Sequence, residues 1–548
     1  MCLYSIPSYL LQNTELISEK MTMCYLLMLI HVIHSIQADD GSKWNTEAQK
    51  DLVESISLKH NTNVAKNVIL FLGDGMGITT VSAARLYKAQ LNKAEEGTST
   101  LSFENFPYVA LSKTYNVDRQ TPDSAGTATA FLCGIKANAG TVGVNSNVPR
   151  KDCLKERGNK VDSILDWSKS EGKSVGVVTT SRVTHATPAA SYAHTAERNW
   201  ENDGNMDGVQ GGCSDIAKQL IMDNSFIEVV MGGGRSNFIP TSDGGYRKDS
   251  QNLIQAWKTA QMKNGRNGTY VTSKTLLDKV DTKKTDNLLG LFANSHMDYS
   301  IDRQISNNTN DQPSLSEMTK VAIDILKKNT KGFFLLVEGA RIDHGHHQNQ
   351  AKRALHDTVA FDEAIRTAIN NVNNEETLIV VTADHSHVFA MSGYPQTGND
   401  ILGFVHPVAK DYGPTDGLPY TALIYGNGPG GDSESEISRL SGLPRKNLTS
   451  VDTRDVDFRF PAAVKMPSET HAAEDVGIFA TGPMSHLFHG VHNQNYIAHV
   501  MAYASCVGSN KKHCDKSTNT GININIDNSM IVYLILHYIN QYLNYINP

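Results

Sequence analysis

The stretch FFLLVEGARIDHGHHQNQ, residues 333–350, decides the fold. Five apolar residues, Phe333 to Val337, run straight into Glu338, and Asp343, His344, His346 and His347 follow directly. A continuous apolar run of this length, closed by Gly339, predicts a strand buried on both faces. Its acids and imidazoles then fall beyond the carboxyl end of that strand, where an α/β sheet presents its site. Strand ends are rigid and hold side chains in fixed positions, while the loops after them carry polar groups.

The same shape recurs along the chain. NVILFLGDGMG (67–77) reaches Asp74, KSVGVVTTSRVTHATP (173–188) ends near His185, and TLIVVTADHSH (377–387) reaches Asp384. IEVVMGGGR (227–235) is a further run. Between them lie amphipathic patterns such as KVDSILDWSKSEG (160–172) and SLSEMTKVAIDILKKN (314–329). The alternation predicts an α/β fold with a large, mostly parallel central sheet and helices on both faces. Residues 394–465 are rich in Gly, Pro, Ser and Asp and weakly periodic. They read as a smaller inserted subdomain between core segments 39–393 and 466–506.

The chain has 548 residues, 40% of them hydrophobic and 20% charged, with a net charge of -7. That composition is globular, and no block of Lys or Arg supports a nucleic-acid partner or an anionic membrane surface. Residues 1–38 read as a leader. MTMCYLLMLIHVIHSIQADD (21–40) has the short apolar core of a secretory signal, with a buried N-terminal helix as the alternative. Residues 507–548 read as a tail. In it the polar, small-residue stretch KSTNTG (516–521) precedes SMIVYLILHYINQYLNYINP (529–548). That order matches a lipid-anchor signal or, equally, an amphipathic tail.

Seven cysteines sort by position. Cys2 and Cys24 fall in the leader, and Cys133 lies in a helical pattern as a buried thiol. Cys153, Cys213, Cys506 and Cys514 form an even set in a secretory context, with Cys506–Cys514 closing a short loop and Cys153–Cys213 a longer one. Sequons at Asn267, Asn307 and Asn447 agree with that route.

Carboxylates with imidazoles are zinc ligands, and oxygen-only sets suit magnesium. Asp343 and His347 are four apart, hence on one face of a helical turn. Asp384 and His385 are adjacent, so both reach one site only if the chain turns after its strand. His471, in ETHAAED, can close a site from a distant segment. In TPDSAGTATAFLCGIK (121–136), Pro122 and Asp123 start a helix and place Ser124 at its N-terminus. An anion is favoured there, and a metal ion can activate the hydroxyl; the plain alternative is that Asp123 or Ser124 is only a cap.

Taken in order, FLGDGMG, PDSAGTATA, VTHATP, VEGARIDHGHH, TADHSH and ETHAAEDV resemble the motifs of the alkaline phosphatase family, closest to its animal, membrane-anchored branch, over residues 43–506. The resemblance implies a phosphate monoester hydrolase with a phosphoserine intermediate, two zinc ions and one magnesium ion. It implies Ser124 as nucleophile and Arg198 as the phosphate-clamping arginine. Asp343, His347 and His471 match one zinc site; Asp74, Asp384 and His385 match the other. Thr187 and Glu338 complete the magnesium set with Asp74, and His185 and His344 match positions behind the metals. Inorganic phosphate is implied as an inhibiting product.

A homodimer is also implied, with residues 43–58 reaching the partner and 394–465 forming a crown. For a fourth, calcium, site the chain departs from the pattern: Phe292–Ala293 stands where a Phe–Glu pair is usual, and Asp311 alone makes no site. His346 and His387 receive no role. A phosphodiesterase or sulfatase on the same core, and a non-catalytic surface glycoprotein, are the competing readings. An aryl phosphate assay with and without chelator separates them.

Overall fold

The structure, a computed structural model, describes residues 41–306, 311–406, 413–431 and 446–514. The leader, Asn307, parts of the insertion and the tail beyond Cys514 lie outside the described residues. The chain divides into two compact units, Met1–Lys59 and His60–Pro548. Among the described residues the first contributes the helix Ser42–Ser57, on which no residue is buried; Trp44, Leu52, Val53 and Ile56 are all exposed.

The second unit is built on strands β1 (Asn67–Gly73), β2 (Tyr108–Lys113), β3 (Ser174–Arg182), β4 (Val229–Gly233), β5 (Gly268–Val271), β6 (Asn287–Leu291), β7 (Phe333–Gly339) and β8 (Thr377–Ala383). Short strands follow: β9 (Ser386–His387), β10 (Phe389–Met391), β11 (Leu423–Gly428), β12 (Ala462–Lys465) and β13 (His471–Ala472). Then come β14 (Val476–Thr481) and β15 (Gly490–Asn493). Ten of them form one sheet in the order β15-β2-β14-β8-β1-β7-β3-β4-β6-β5. Every neighbouring pair in it is parallel except those of β14, which runs antiparallel to both β8 and β2. The mostly parallel α/β sheet expected from the apolar runs is therefore present.

The runs named from sequence are the central strands. β1, β7 and β8 are buried at every residue, because helices cover both faces. Their side chains alternate between two cores. Val68, Leu70, Phe334, Leu336, Leu378 and Val380 pack on one face; Ile69, Phe71, Leu335, Val337, Ile379 and Val381 pack on the other. Truncating any of the Leu, Ile or Phe side chains among these to Ala costs about 2–5 kcal/mol. Strands β2, β5, β6 and β15 carry no such signal. β2 alternates buried and exposed residues, and β5, β6 and β15 are only four or five residues long.

The segment 394–465 supplies β11 and β12, which pair with β10 in a three-stranded sheet; the chain then returns through β13, which pairs with β9, to β14 in the main sheet. Among the described residues two disulfides are formed, Cys153–Cys213 and Cys506–Cys514, and Cys133 is a buried free thiol at the end of the helix Ser124–Cys133.

Candidate active site

Strand register gathers the acids. Gly73 on β1 is level with Gly339 on β7 and Ala383 on β8. The residues that follow, Asp74 and Asp384, therefore leave the sheet side by side. Glu338 sits one step back, flanked by Leu72 on β1 and Thr179 on β3. The turn after β1 needs glycine at position 75: its φ is +71°, and a Cβ would stand 2.4 Å from Nε2 of His387. That tight turn lets the Gly75 amide donate to Oδ1 of Asp384 at 3.0 Å.

The other groups converge from four directions. The helix Arg341–His347 follows β7 and presents Asp343 and His347 on one face, Nε2 to Oδ1 3.3 Å apart. The chain turns between β8 and β9, so His385 Nε2 lies 3.0 Å from its neighbour Asp384 and 3.6 Å from Asp74. His471 enters on β13; its Nε2 is 3.4 Å from Asp343 and 3.2 Å from His347 Nε2, and its ring stacks on His385 at 3.5 Å. Ser124 is the first residue of its helix, 3% exposed, with Oγ 3.2 Å from His385 Nε2.

Asp123 is the cap and does more than cap. Its carboxylate accepts from the amides of Gly126 (3.1 Å), Ala125 (3.3 Å) and Gly140 (2.8 Å), and from Arg198 Nη1 (3.0 Å). The second Arg198 nitrogen donates to His185 Nε2 at 3.1 Å. Burial alone would raise the Asp123 carboxyl, but Arg198 and the Gly140 and Gly126 amides outweigh it and hold it below the usual range.

The electrostatics divide the acids. Burial, then the carboxylates of Asp384, Asp343 and Glu338, push Asp74 well above the usual carboxylate range. Burial pushes Glu338 up to about 7, although the Thr179 hydroxyl holds it back in part. Burial opposes ionisation of Asp343 as well, but His347, His387 and His471 reverse the balance and hold it well below the usual range. His385 does the same for Asp384, more weakly.

Several of these buried atoms have no hydrogen-bond partner: both oxygens of Asp74, Oδ2 of Asp384, Oε1 of Glu338, Oγ1 of Thr187 and Nδ1 of His385. An unpaired buried carboxylate is destabilising by several kcal/mol, so such a set fits bound cations. Asp74, Asp384 and His385 form one cluster of mutually close donor atoms, and Asp343, His385, His387 and His471 form another, with His347 alongside Asp343. Asp74, Thr187 and Glu338 offer oxygen only, the donor type of a hard cation.

Sequence reasoning left out two groups that the fold brings in. His387 Nε2 is 2.8 Å from Asp343, and its Nδ1 bonds the Glu469 carboxylate. Burial pulls this imidazole down, but Glu469 and Asp343 override it and raise His387 to about 10. Glu469 also accepts from the Val388 amide at 2.8 Å, and its carbonyl faces His347 Nδ1 at 2.6 Å. Only the β9–β13 pairing, which no local pattern announces, brings Glu469 to His387. His346 points the other way, between the Thr80 and Tyr425 hydroxyls at 3.0 and 2.9 Å, as a satisfied core histidine. Where the family pattern would place calcium and this chain departs from it, Phe292 is buried, and Asp311 accepts from the Lys274 and Thr275 amides through its carbonyl and carboxylate.

Comparison with known proteins gives one consistent result. The family model described as "Alkaline phosphatase" matches residues 65–507. The tissue-nonspecific alkaline phosphatase isozyme of Gallus gallus is 48% identical over 511 residues, covering 91% of this chain and 95% of that one. The isozyme of Homo sapiens is 49% identical over 496 residues, covering 88% and 92%. Among solved structures, a cold-active alkaline phosphatase from Shewanella sp. superposes with a TM-score of 0.56 at 25% identity, covering 81% of this chain and all of that one. The Thermus thermophilus alkaline phosphatase shares the fold at a TM-score of 0.59 and 23% identity, covering 82% and 93%.

Proposed function

The chain belongs to the alkaline phosphatase family and is a phosphate monoester hydrolase, and from that premise we propose which residues carry the reaction. The observation that carries the reading is that Asp74 and Asp384, with buried oxygens that lack hydrogen-bond partners, lie beside His385, whose Nε2 is 3.2 Å from the Ser124 hydroxyl. Two zinc ions fit Asp343, His347 and His471, and Asp74, Asp384 and His385; one magnesium ion fits Asp74, Thr187 and Glu338. Bound there, such cations supply Lewis acidity and lower the pKa of hydroxyl and water.

The chain's own groups do the rest. Arg198 presents a planar fork to two phosphoryl oxygens, and Asp123 fixes its plane through Nη1. Ser124 Oγ, its proton released to solvent water, attacks phosphorus as the ester P–O bond breaks, and the leaving oxygen takes a proton back from water. A water molecule then attacks the phosphoserine in line, releasing phosphate and restoring the hydroxyl. Two in-line displacements retain configuration at phosphorus. His387 locks Asp343 from behind through Glu469, so the carboxylate is already oriented and ionised. Phosphate makes the same contacts as the substrate's phosphoryl group and inhibits.

Replacing Arg198 tests the clamp. Arg198→Ala is expected to raise both KM for an aryl phosphate and Ki for phosphate by about 10²-fold, the worth of a lost bidentate pair. An unchanged Ki for phosphate, measured at constant zinc and magnesium content, removes Arg198 from the clamp.

The same reading extends to assembly and location. Val109 and Leu111 on β2 are exposed apolar side chains, and Leu111 pairs in register with the exposed Val491 of β15. These side chains support a homodimer, and the exposed apolar residues of the helix Ser42–Ser57 are, separately, suited to a partner. Two disulfides fit an oxidising route to the cell surface. No helix among the described residues is long and apolar enough to cross a membrane; the reading of the tail as a lipid-anchor signal is what supports attachment. Asn267 and Asn447 are exposed and open to glycosylation. Light scattering of the mature protein is expected to give twice the chain mass, and mass analysis of its C-terminal peptide a lipid-bearing residue before 529. A monomer, or a free carboxyl at Pro548, contradicts these points.

A further inference from the structure

Three imidazoles stand together behind the Arg198 clamp: His185, His296 and His344, with ring nitrogens that approach one another within 4.8 Å. The sequence motifs account for His185 and His344; nothing assigns His296. The trio looks like a zinc ligand set, but its hydrogen bonds argue otherwise. Each ring already faces an arginine: Arg198 Nη2 is 3.1 Å from His185 Nε2, Arg341 Nη1 is 3.1 Å from His344 Nδ1, and Arg182 Nη1 bonds His296 Nε2. Guanidinium groups only donate, so each contacted nitrogen spends its lone pair as acceptor, and in a neutral ring the proton sits on the other nitrogen. No lone pair is left for a cation unless the arginine contacts break.

The remaining nitrogens also explain how loosely these rings are held. Nδ1 of His185 and Nδ1 of His296 are buried without a partner. The polar contact of His185 is with Arg198, and its orientation otherwise depends on packing: His296 meets it edge-on at 5.2 Å, and His344 lies tilted at 5.7 Å. His296 itself packs on His344 at 4.2 Å.

His296 is the best anchored of the three from behind. Its partner Arg182 forms a bidentate pair with the Glu201 carboxylate, 2.7 Å at each nitrogen. Glu201 is in turn held by the Thr184 hydroxyl at 2.6 Å and by Asn237 at 3.1 Å. A partly buried, bidentate-anchored network therefore ends on the ring that meets His185 edge-on beside the clamp.

We propose that His296 is a positioning residue for phosphate binding: pinned by Arg182 and Glu201, it holds His185, and through His185 it sets the plane of Arg198. This rests on reading Arg198 as the clamp. Loss of this ring lets His185 turn, and the second Arg198 nitrogen loses its reference while the Asp123 contact survives. The signature is weaker oxyanion binding without loss of chemistry.

The test is steady-state kinetics of metal-replete His296→Ala and His296→Gln with an aryl phosphate, alongside Arg198→Ala. In His296→Ala, KM and Ki for inorganic phosphate are expected to rise together by about tenfold, the scale of one weakened charge-assisted contact, with kcat within a few-fold of the parent. His296→Gln, whose side-chain carbonyl can still accept from Arg182, should recover most of that change. Three outcomes overturn the proposal: a Ki for phosphate unmoved in His296→Ala while Arg198→Ala raises it; kcat falling in step with thermal stability and no rescue by Gln; or a parent protein that holds one more zinc ion per chain than His296→Ala. If Arg198→Ala also leaves Ki unmoved, it is the clamp reading that fails.

Discussion

Ser124→Ala is expected to lose turnover of an aryl phosphate by about 10³- to 10⁶-fold, the range for removing a nucleophile that works with a preorganised site. The folded state should be almost untouched. Asp123, not Ser124, caps the helix, and its bonds to Gly126, Gly140 and Arg198 do not involve the hydroxyl. The variant should therefore bind phosphate and metals like the parent while forming no phosphoserine. Acid quenching during turnover, followed by peptide mapping, should find the phosphoryl group on residue 124 in the parent alone. Turnover in Ser124→Ala within tenfold of the parent would mean direct attack by water.

Metal removal is the second large effect. Chelation should abolish turnover, because the Lewis acidity that activates hydroxyl and water is lost, and it leaves oxygens of Asp74, Glu338 and Asp384 unpaired. It should also lower the unfolding midpoint: a cation present at a thousand times its Kd adds about 4 kcal/mol to stability, and all of that is lost. A pH signature follows for the metal-free chain. Burial raises Glu338 to about 7 in the fold from an ordinary value of 4.5. Between those values the native state keeps a proton that the unfolded chain has released, so stability from this group falls as pH rises. The loss is on the order of 3 kcal/mol and is complete above the folded pKa.

Histidines held low by burial, His344 at about 3 among them, pull the whole-chain curve the other way below the ordinary imidazole pKa of 6.5. The comparison must therefore be with metal-free Glu338→Gln. The stability of the parent relative to Glu338→Gln should fall from pH 4.5 to 7 without metals, and magnesium should remove that fall. A flat difference would mean that Glu338 ionises freely and has no need of a cation.

The contrast between what could and could not be read from the chain has a physical basis. Asp74, Glu338 and Asp384 are legible because each ends or directly follows an apolar run, and a fully buried parallel strand has an unmistakable pattern. Asp343 and His347 are legible because four residues make a helical turn. Ser124 is legible because Pro and Asp announce a helix start. His387, Glu469 and His296 are different. They matter through partners far away in sequence: His387 meets Asp343 44 positions away and Glu469 82 away, and Arg182 meets His296 across 114. Such pairings are set by register and loop path, which local periodicity does not encode. The strands β2, β5, β6 and β15 escaped for a simpler reason, being short or half exposed toward the sheet edges, where burial leaves a weak imprint on composition.

Anomalous scattering at the zinc edge from metal-replete crystals tests the centre of this reading most directly. Two peaks are expected, one among Asp343, His347 and His471 and one among Asp74, Asp384 and His385, with Ser124 beside the second and a lighter ion among Asp74, Thr187 and Glu338. Absence of either peak, or zinc among His185, His296 and His344 instead, would contradict it.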